Sequence, residues 1–201
     1  RRMKIIADDL KALVAKYGDE RRTSIEEAMD DIDIEDLIPN EPMVVTLSDT
    51  GYIKRIPVDT YKAQHRGGKG ITGSGLKDED HIRSLFVANN HNYLLAFTNF
   101  GRVHWLKVYH VPEVSRTAKG KAIINMIDLQ ENETVAEIVN VESFEKKQSI
   151  IMVTKTGTIN KMDISLFSRP RKGGINAITL DTGDSLVEAI LASDESNILI
   201  G

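Results

Sequence analysis

Seven consecutive residues, Gln64-His65-Arg66-Gly67-Gly68-Lys69-Gly70, concentrate the binding chemistry of this sequence. Three glycines let the backbone adopt φ > 0 and approach a ligand closely. Arg66 and Lys69 stay charged at neutral pH, and freed backbone N–H groups add donors that suit an anion. The combination reads as a loop for holding negative charge, with phosphate the first candidate. A nucleotide-binding P-loop is a different arrangement, because G-x-x-x-x-G-K-[ST] ends on a hydroxyl that reaches magnesium. Here Gly70 follows Lys69, and no glycine stands five residues before Gly68. Backbone phosphates of a nucleic acid need cations and N–H donors but no metal ligand, and they fit this loop better. Taken alone, the heptad also fits a solvated glycine turn with incidental charge; repetition separates the two.

The elements that would position this loop recur along the chain. Beyond Pro42, Met43–Leu47 and Tyr52–Arg55 form two apolar strands joined by a turn that ends on Gly51. Tyr93–Thr98 with Arg102–Trp105 around Gly101, and Ile150–Thr154 with Thr158–Lys161 around Gly157, have the same form. A glycine closing a short loop between alternating runs predicts a β-hairpin. Each hairpin is followed by a basic loop containing glycine: Arg66–Gly70, then Arg116-Thr117-Ala118-Lys119-Gly120, then Arg169-Pro170-Arg171-Lys172-Gly173. Matched by residue type, arginine, lysine and glycine hold the same places in all three. An acidic turn follows each loop (Asp78-Glu79-Asp80, Glu131-Asn132-Glu133, Gly183-Asp184) and leads into a further strand near Leu85, Ile138 or Ala189. Ile198-Leu199-Ile200-Gly201 resembles the start of a fourth copy. Four short strands in about fifty residues is the size of a propeller-like blade, so the expected fold is mainly β, about three blades over residues 43–201. Three cationic loops at equivalent stations would track a phosphate backbone. None is rich in aromatics, so stacking on unpaired bases is not suggested and duplex DNA is favoured.

The first 42 residues differ in kind. Met3, Ile6, Leu10, Leu13, Val14 and Tyr17 recur at helical steps, with Gly18 as a C-cap, which predicts a helix over 1–18. That stripe needs a partner helix or a larger body. Residues 19–42 read as an acidic linker, with short strands allowed at Arg21–Ile25 and around Ile32-x-Ile34, and Pro39 and Pro42 mark its end. Residues 1–42 hold 7 Lys/Arg against 12 Asp/Glu, a balance of −5, whereas the rest holds 19 against 18. The net charge of −4 therefore belongs to the first segment and does not exclude a nucleic-acid partner. The chain has no cysteine, hence no disulfide or thiolate metal site. No apolar run reaches the length of a membrane span and no signal-like stretch opens the chain, so a cytoplasmic location is expected.

Other chemistry is thin. His65, His81, His91, His104 and His110 show no metal-ligand spacing. His104 reads as a structural or surface residue, and Asp78, Glu79 and Asp80 as a solvated turn rather than a calcium loop. Trp105 reads as packing or as a rim residue, and no G-x-S-x-G nucleophile elbow occurs.

The heptad closely resembles the gyrase-A box, Q-R-R-G-G-K-G, which marks gyrase A in the bacterial DNA gyrase family. Lys16–Thr23, Ile34–Ile38, Val44–Leu47 and Gly51–Lys54 are similar to the stretch that joins the cleavage core of gyrase A to its C-terminal domain. The resemblance covers essentially the whole chain. It implies a β-pinwheel whose blades exchange strands, usually six of them and here a fragment, preceded by the end of a coiled-coil arm. It implies duplex DNA wrapped around a basic perimeter, so that ATP-driven strand passage introduces negative supercoils. The implied DNA-binding residues are Gln64, His65, Arg66, Gly67, Gly68, Lys69 and Gly70, with Arg116, Lys119, Lys121, Arg169, Arg171 and Lys172 extending the path. The implied partners are the remainder of gyrase A and gyrase B in an A2B2 assembly in the bacterial cytoplasm, at the nucleoid. ATP and magnesium belong to other parts of that assembly; no cofactor or catalytic residue is expected in this chain. The departure is His65, where the family usually has arginine; a histidine is mostly neutral at pH 7 and weakens one phosphate contact. The corresponding chain of topoisomerase IV usually has a degenerate box, which disfavours that assignment. A propeller-type protein-interaction scaffold would present an apolar or acidic rim instead.

Overall fold

The computed structural model describes residues 2–19, 23, 34–60, 80–193 and 195–199. Its contacts divide the chain into a first unit, Arg1–Ile34, and a second, Glu35–Gly201. In the first unit, α1 spans Arg2–Tyr17, and the Gly18 amide closes it by donating to the Val14 carbonyl at 2.7 Å. A Cβ on Gly18 would lie 2.4 Å from that oxygen, so glycine is what the end of the helix admits. Met3, Ile6, Leu10, Leu13 and Val14 are all more than half exposed, which leaves the apolar stripe uncovered. Ile34 does not continue a strand. Ile34–Leu37 forms a 3-10 turn closed by Ile38 N–H donating to the Glu35 carbonyl, because this bond is local and a strand there would need a neighbour. Ile32 and nearly all of the strand expected at 21–25 lie outside the described residues.

The described residues of the second unit form eleven strands in three antiparallel sheets. In chain order they are β1 (Pro42–Ser48), β2 (Tyr52–Pro57), β3 (Ile82–Asn89), β4 (Tyr93–Thr98), β5 (Arg102–Lys107), β6 (Lys121–Ala122), β7 (Val135–Val141), β8 (Gln148–Thr154), β9 (Ile159–Asp163), β10 (Ile175–Asn176) and β11 (Leu186–Ser193). The sheet orders are β3-β1-β2-β6, β10-β5-β4-β7 and β11-β8-β9. The three expected hairpins are β1–β2, β4–β5 and β8–β9, with registers such as Val45↔Arg55, Leu95↔Trp105 and Ile151↔Lys161.

The hairpin turns are copies of one another. Gly51, Gly101 and Gly157 have φ of 80°, 73° and 90°, and each amide donates to the carbonyl three residues back. The hydroxyls of Ser48, Thr98 and Thr154 each accept from the amide four residues on, at 3.2 Å in all three turns. This repeated hydroxyl bond explains why Ser or Thr ends the first strand every time.

The sheets stack face to face, like propeller blades, with the middle one buried on both sides. Leu94 and Ala96 of β4 pack with Val45, Leu47 and Ile53 of the first sheet. Leu95 and Phe97, on the opposite face, pack with Ile150, Met152 and Leu186 of the third. A strand covered on both faces reads as a continuous apolar run, which is what Tyr93–Phe97 is. Phe97 and Phe167 meet edge to face, centroids 6.0 Å apart.

Among the described residues, each of the first two blades borrows a strand from the next repeat. β6 follows the second hairpin yet pairs with β2, and β10 follows the third yet pairs with β5. The 35–41 stretch, within the expected acidic linker, is bonded to the turn between β3 and β4 and to β5. Asn90 and His91 amides donate to the Glu41 carbonyl and the Asn40 side chain, and Lys107 Nζ donates to Glu35 at 2.8 Å. Ile198 and Leu199 are not in a strand, and Ile200 and Gly201, the rest of the expected fourth copy, lie outside the described residues.

Candidate nucleic-acid interface

Gln64, His65, Arg66, Gly67, Gly68, Lys69 and Gly70 lie outside the described residues, as does the rest of 61–79. The other two basic loops carry the geometry.

The loop over 115–121 joins a 3-10 turn, Val108–His110, to β6. Its side chains alternate: Ser115, Thr117, Lys119 and Lys121 are exposed, and Arg116 and Ala118 are half-buried. The inward face is held by Lys54 of β2, whose ammonium donates to the Arg116 carbonyl at 2.5 Å and the Ala118 carbonyl at 2.8 Å. The next residue, Arg55, donates to the Val111 carbonyl and pairs with Glu113 at 3.4 Å. Lys119 rests its ammonium 3.7 Å from the centre of the Tyr52 ring, a cation–π contact that fixes its direction while leaving it exposed. Arg116 points partly inward. Its Nη1 is buried without a hydrogen-bond partner among the described residues, so its charge is not presented as Lys119 and Lys121 present theirs.

In the loop over 168–174, Arg169, Arg171 and Lys172 are all exposed. This loop is also held from a strand of the preceding repeat, where Arg102 of β5 donates to the Gly173 carbonyl. Gly120 and Gly174 are the equivalent glycines: each immediately precedes the borrowed strand and has positive φ, 88° and 71°. Matching by residue type equates Gly120 with Gly173, and the pairing corrects this by one residue. The third loop's cations therefore stand one position further from the glycine. A Cβ on Gly120 would lie 2.4 Å from the Ile53 carbonyl oxygen, and one on Gly174 would lie 2.8 Å from the Val103 carbonyl oxygen. Glycine is required where loop backbone presses on strand backbone. Arg171 and Lys172 also line a cleft of about 510 Å³ with Trp105, His110, Met126 and Asp128.

One carboxylate of each acidic turn, Asp80, Glu133 or Asp184, is a clasp rather than a solvated group; Asp78 and Glu79 lie outside the described residues. Asp80 accepts from the Thr50 amide at 3.2 Å and its hydroxyl at 2.6 Å, and Asp184 does the same with Thr156 at 3.0 and 2.7 Å. These bonds hold both carboxyls below the usual range, Asp184 at about 2 through the hydroxyls of Thr154 and Thr156 and the neighbouring amides. In the middle repeat Phe100 occupies the place of Thr50 and Thr156, and the longer Glu133 reaches past it. Glu133 accepts from the Thr98 hydroxyl at 2.6 Å and the Gln130 amide at 2.7 Å, and pairs with Arg102 at 2.7 Å. Burial pushes its carboxyl up, but these donors outweigh burial and leave it lowered. His104, buried beside this cluster, has Nε2 4.0 Å from Glu133; burial and Arg102 keep its imidazole below the ordinary value. Trp105 packs on the core between the second and third sheets and donates to the Phe167 carbonyl.

Lys54 and Arg102 escape a sequence reading as site residues. For Lys54 the signal is a cation inside a strand, visible in Ile53-Lys54-Arg55-Ile56; Arg102 opens β5 directly after Gly101 and carries no such signal.

A family model described as the DNA gyrase C-terminal domain, beta-propeller, matches residues 42–89, 92–142 and 148–193, one segment per blade. The chain belongs to this family. Its relatives include the gyrase A protein of Fibrobacter succinogenes, 56% identical over 191 residues that cover 95% of this chain and 21% of the relative. The gyrase A protein of Salmonella typhimurium is 42% identical over 200 residues, covering 100% of this chain and 23% of the relative. The chain thus spans between a fifth and a quarter of the length of these relatives. A solved DNA gyrase A C-terminal domain superposes with a TM-score of 0.59 at 27% identity, covering 77% of this chain and 49% of that one. The C-terminal domain of a DNA topoisomerase IV superposes with a TM-score of 0.65 at 24% identity, covering 77% and 47%, and shares the fold.

Proposed function

We propose that this chain is the DNA-holding part of a gyrase A protein. Duplex DNA lies along the perimeter of the blades, held through its phosphates by the basic loops, and is bent as it passes from one loop to the next. The observation that carries this reading is the recurrence of a cationic loop at one station of the repeat. In the two described copies Lys119, Lys121, Arg169, Arg171 and Lys172 are exposed while the loop backbone is anchored inward. Membership of the gyrase C-terminal domain family supports it. In the full assembly, with the remainder of gyrase A and with gyrase B in an A2B2 arrangement, the bent segment would be presented for ATP-driven strand passage and negative supercoiling. ATP and magnesium act elsewhere in that assembly. The working compartment is the bacterial cytoplasm, at the nucleoid.

The exposed cations disfavour a protein-interaction scaffold, and the nearly intact heptad disfavours a topoisomerase IV chain. Duplex affinity measured against salt concentration tests the proposal. Each phosphate neutralised contributes about −0.9 to the slope of log K against log salt. Replacing Arg66→Ala and Lys69→Ala together is expected to lower affinity for every sequence and flatten that slope by about two. His65→Arg raises affinity, more at pH 8 than at pH 6, because histidine loses its charge in that interval. Salt-insensitive binding, or binding unchanged by the double substitution, contradicts the proposal.

A further inference from the structure

We infer that Lys54 and Arg102 are positioning residues for DNA binding: each holds the backbone of the next repeat's basic loop inward, so that the loop's cations face outward. The inference rests on the DNA-holding reading above.

Lys54 is only 3% exposed, so it cannot reach a phosphate. Its ammonium is given to two carbonyls of one loop, at Arg116 and Ala118. Those carbonyls belong to the half-buried positions of the alternation, and turning them inward leaves Lys119 and Lys121 outside. Arg102 bonds one carbonyl of the following loop, at exposed Gly173, with a different side chain from a different position. It lies one residue beyond the turn glycine Gly101, whereas Lys54 lies three beyond Gly51. Its guanidinium is fixed by Glu133, itself anchored to the Thr98 hydroxyl and the Gln130 amide, and its other arm reaches the Gly173 carbonyl.

The substitutions between repeats reinforce the point. Where the first repeat has Lys54, the second has His104, which packs against Gly174 instead of bonding to the loop carbonyls as Lys54 does. Where the second has Arg102, the first has Tyr52, which carries Lys119 on its ring. Two unlike residues at two unlike positions thus make related contacts, Lys54 on two carbonyls of the succeeding loop and Arg102 on the single carbonyl of exposed Gly173. A contact inherited passively with the repeat would keep one position. A buried cation bonded to carbonyls is costly to leave unmade, because its loss strands the acceptors as well as the space. A loop already ordered before binding loses less freedom when DNA arrives.

The test uses the intact chain with Lys54→Met and, separately, Arg102→Met, each studied well below its thermal midpoint. Lys119→Ala/Lys121→Ala serves as the contact control. Duplex affinity, its salt slope and amide hydrogen exchange over 115–120 and 170–174 are read together. Lys54→Met is expected to speed exchange across 115–120 and to weaken binding about tenfold, the scale of one lost charged hydrogen bond. Its salt slope should fall by more than the single unit of one lost phosphate contact, because Lys119 and Lys121 disengage together. Arg102→Met should do the same through 170–174. If the control loses affinity while both methionine variants keep it, the positioning inference is overturned and the DNA reading stands. If the control also keeps its affinity while Arg66→Ala/Lys69→Ala loses it, the loop over 115–121 lies off the DNA path and the positioning inference is overturned; if Arg66→Ala/Lys69→Ala keeps its affinity too, the DNA reading itself has failed. The unmodified chain supplies a check that needs no substitution. Exchange over 115–120 should be as slow in the free chain as in the DNA-bound chain, and protection acquired only on binding overturns the inference.

Discussion

Asp184 and Asp80 each hold a threonine amide and hydroxyl at a hairpin turn, and Glu133 does related work with a longer arm. Such bonds stabilise the ionised form, so the folded pKa lies below the unfolded one. The sign follows: the stability they contribute is fully present above about pH 4 and is lost as pH falls through the folded value, about 2 for Asp184. Asp184→Asn is expected to lower the thermal midpoint at pH 7 and to make its decline between pH 4 and pH 2 shallower than in the unmodified chain. Melting curves across that range check it, and parallel declines would contradict the assignment. This role is not legible in the sequence, because a clasp and a solvated turn have the same composition. The partner of Asp80 is thirty residues away, and only the fold brings Thr50 to it. His104 is legible as structural but not as buried, since its neighbours Val103 and Trp105 fit either face of a strand.

At the level of elements, the hairpins can be read because each keeps an apolar run, a Ser/Thr and a closing glycine in fixed order. The borrowed strands cannot. Lys121–Ala122 and Ile175–Asn176 are two residues each, too short for any alternation, and they pair with strands some seventy residues earlier. Matching the third loop by residue type therefore slips by one, whereas the positive φ of Gly174 sets its place. Gly174→Ala combines a left-handed backbone with a Cβ pressed on Val103 and His104, and is expected to cost about 1–3 kcal/mol. Gly157→Ala shares the backbone term, with φ of 90°, but its Cβ would meet nothing within 4 Å. Denaturant unfolding of the two variants separates close approach from conformation. Equal losses would mean that the loop does not press on β5 as described. The 35–41 stretch is misleading for a related reason: its acids resemble a linker, yet Glu35 is paired with Lys107.

For the molecule as a whole, the repeat turns a modest local signal into a directional one. Blades stacked face to face, the middle one covered on both sides, place the two described basic loops at the same station of the repeat. The acids that make the sequence look unsuited to DNA are partly engaged in bonds within the fold, buried at Asp80 and Glu133 and at the surface at Asp184, or concentrated in the first 42 residues. What the fold adds to the sequence is orientation: Lys119 and Lys121 face out, Arg116 turns partly in, and Lys54 and Arg102 hold the backbone between them. DNA bent along such a perimeter, as proposed above, would follow one curved path and so take up writhe of one sign. Nicked circular DNA sealed by ligase in the presence of the chain, then stripped of protein, reports that directly. The account predicts a topoisomer distribution displaced in one direction, further with more protein, and restored by high salt or by Arg66→Ala/Lys69→Ala. A distribution that stays centred where the free DNA lies, at concentrations that saturate the circle, would contradict it.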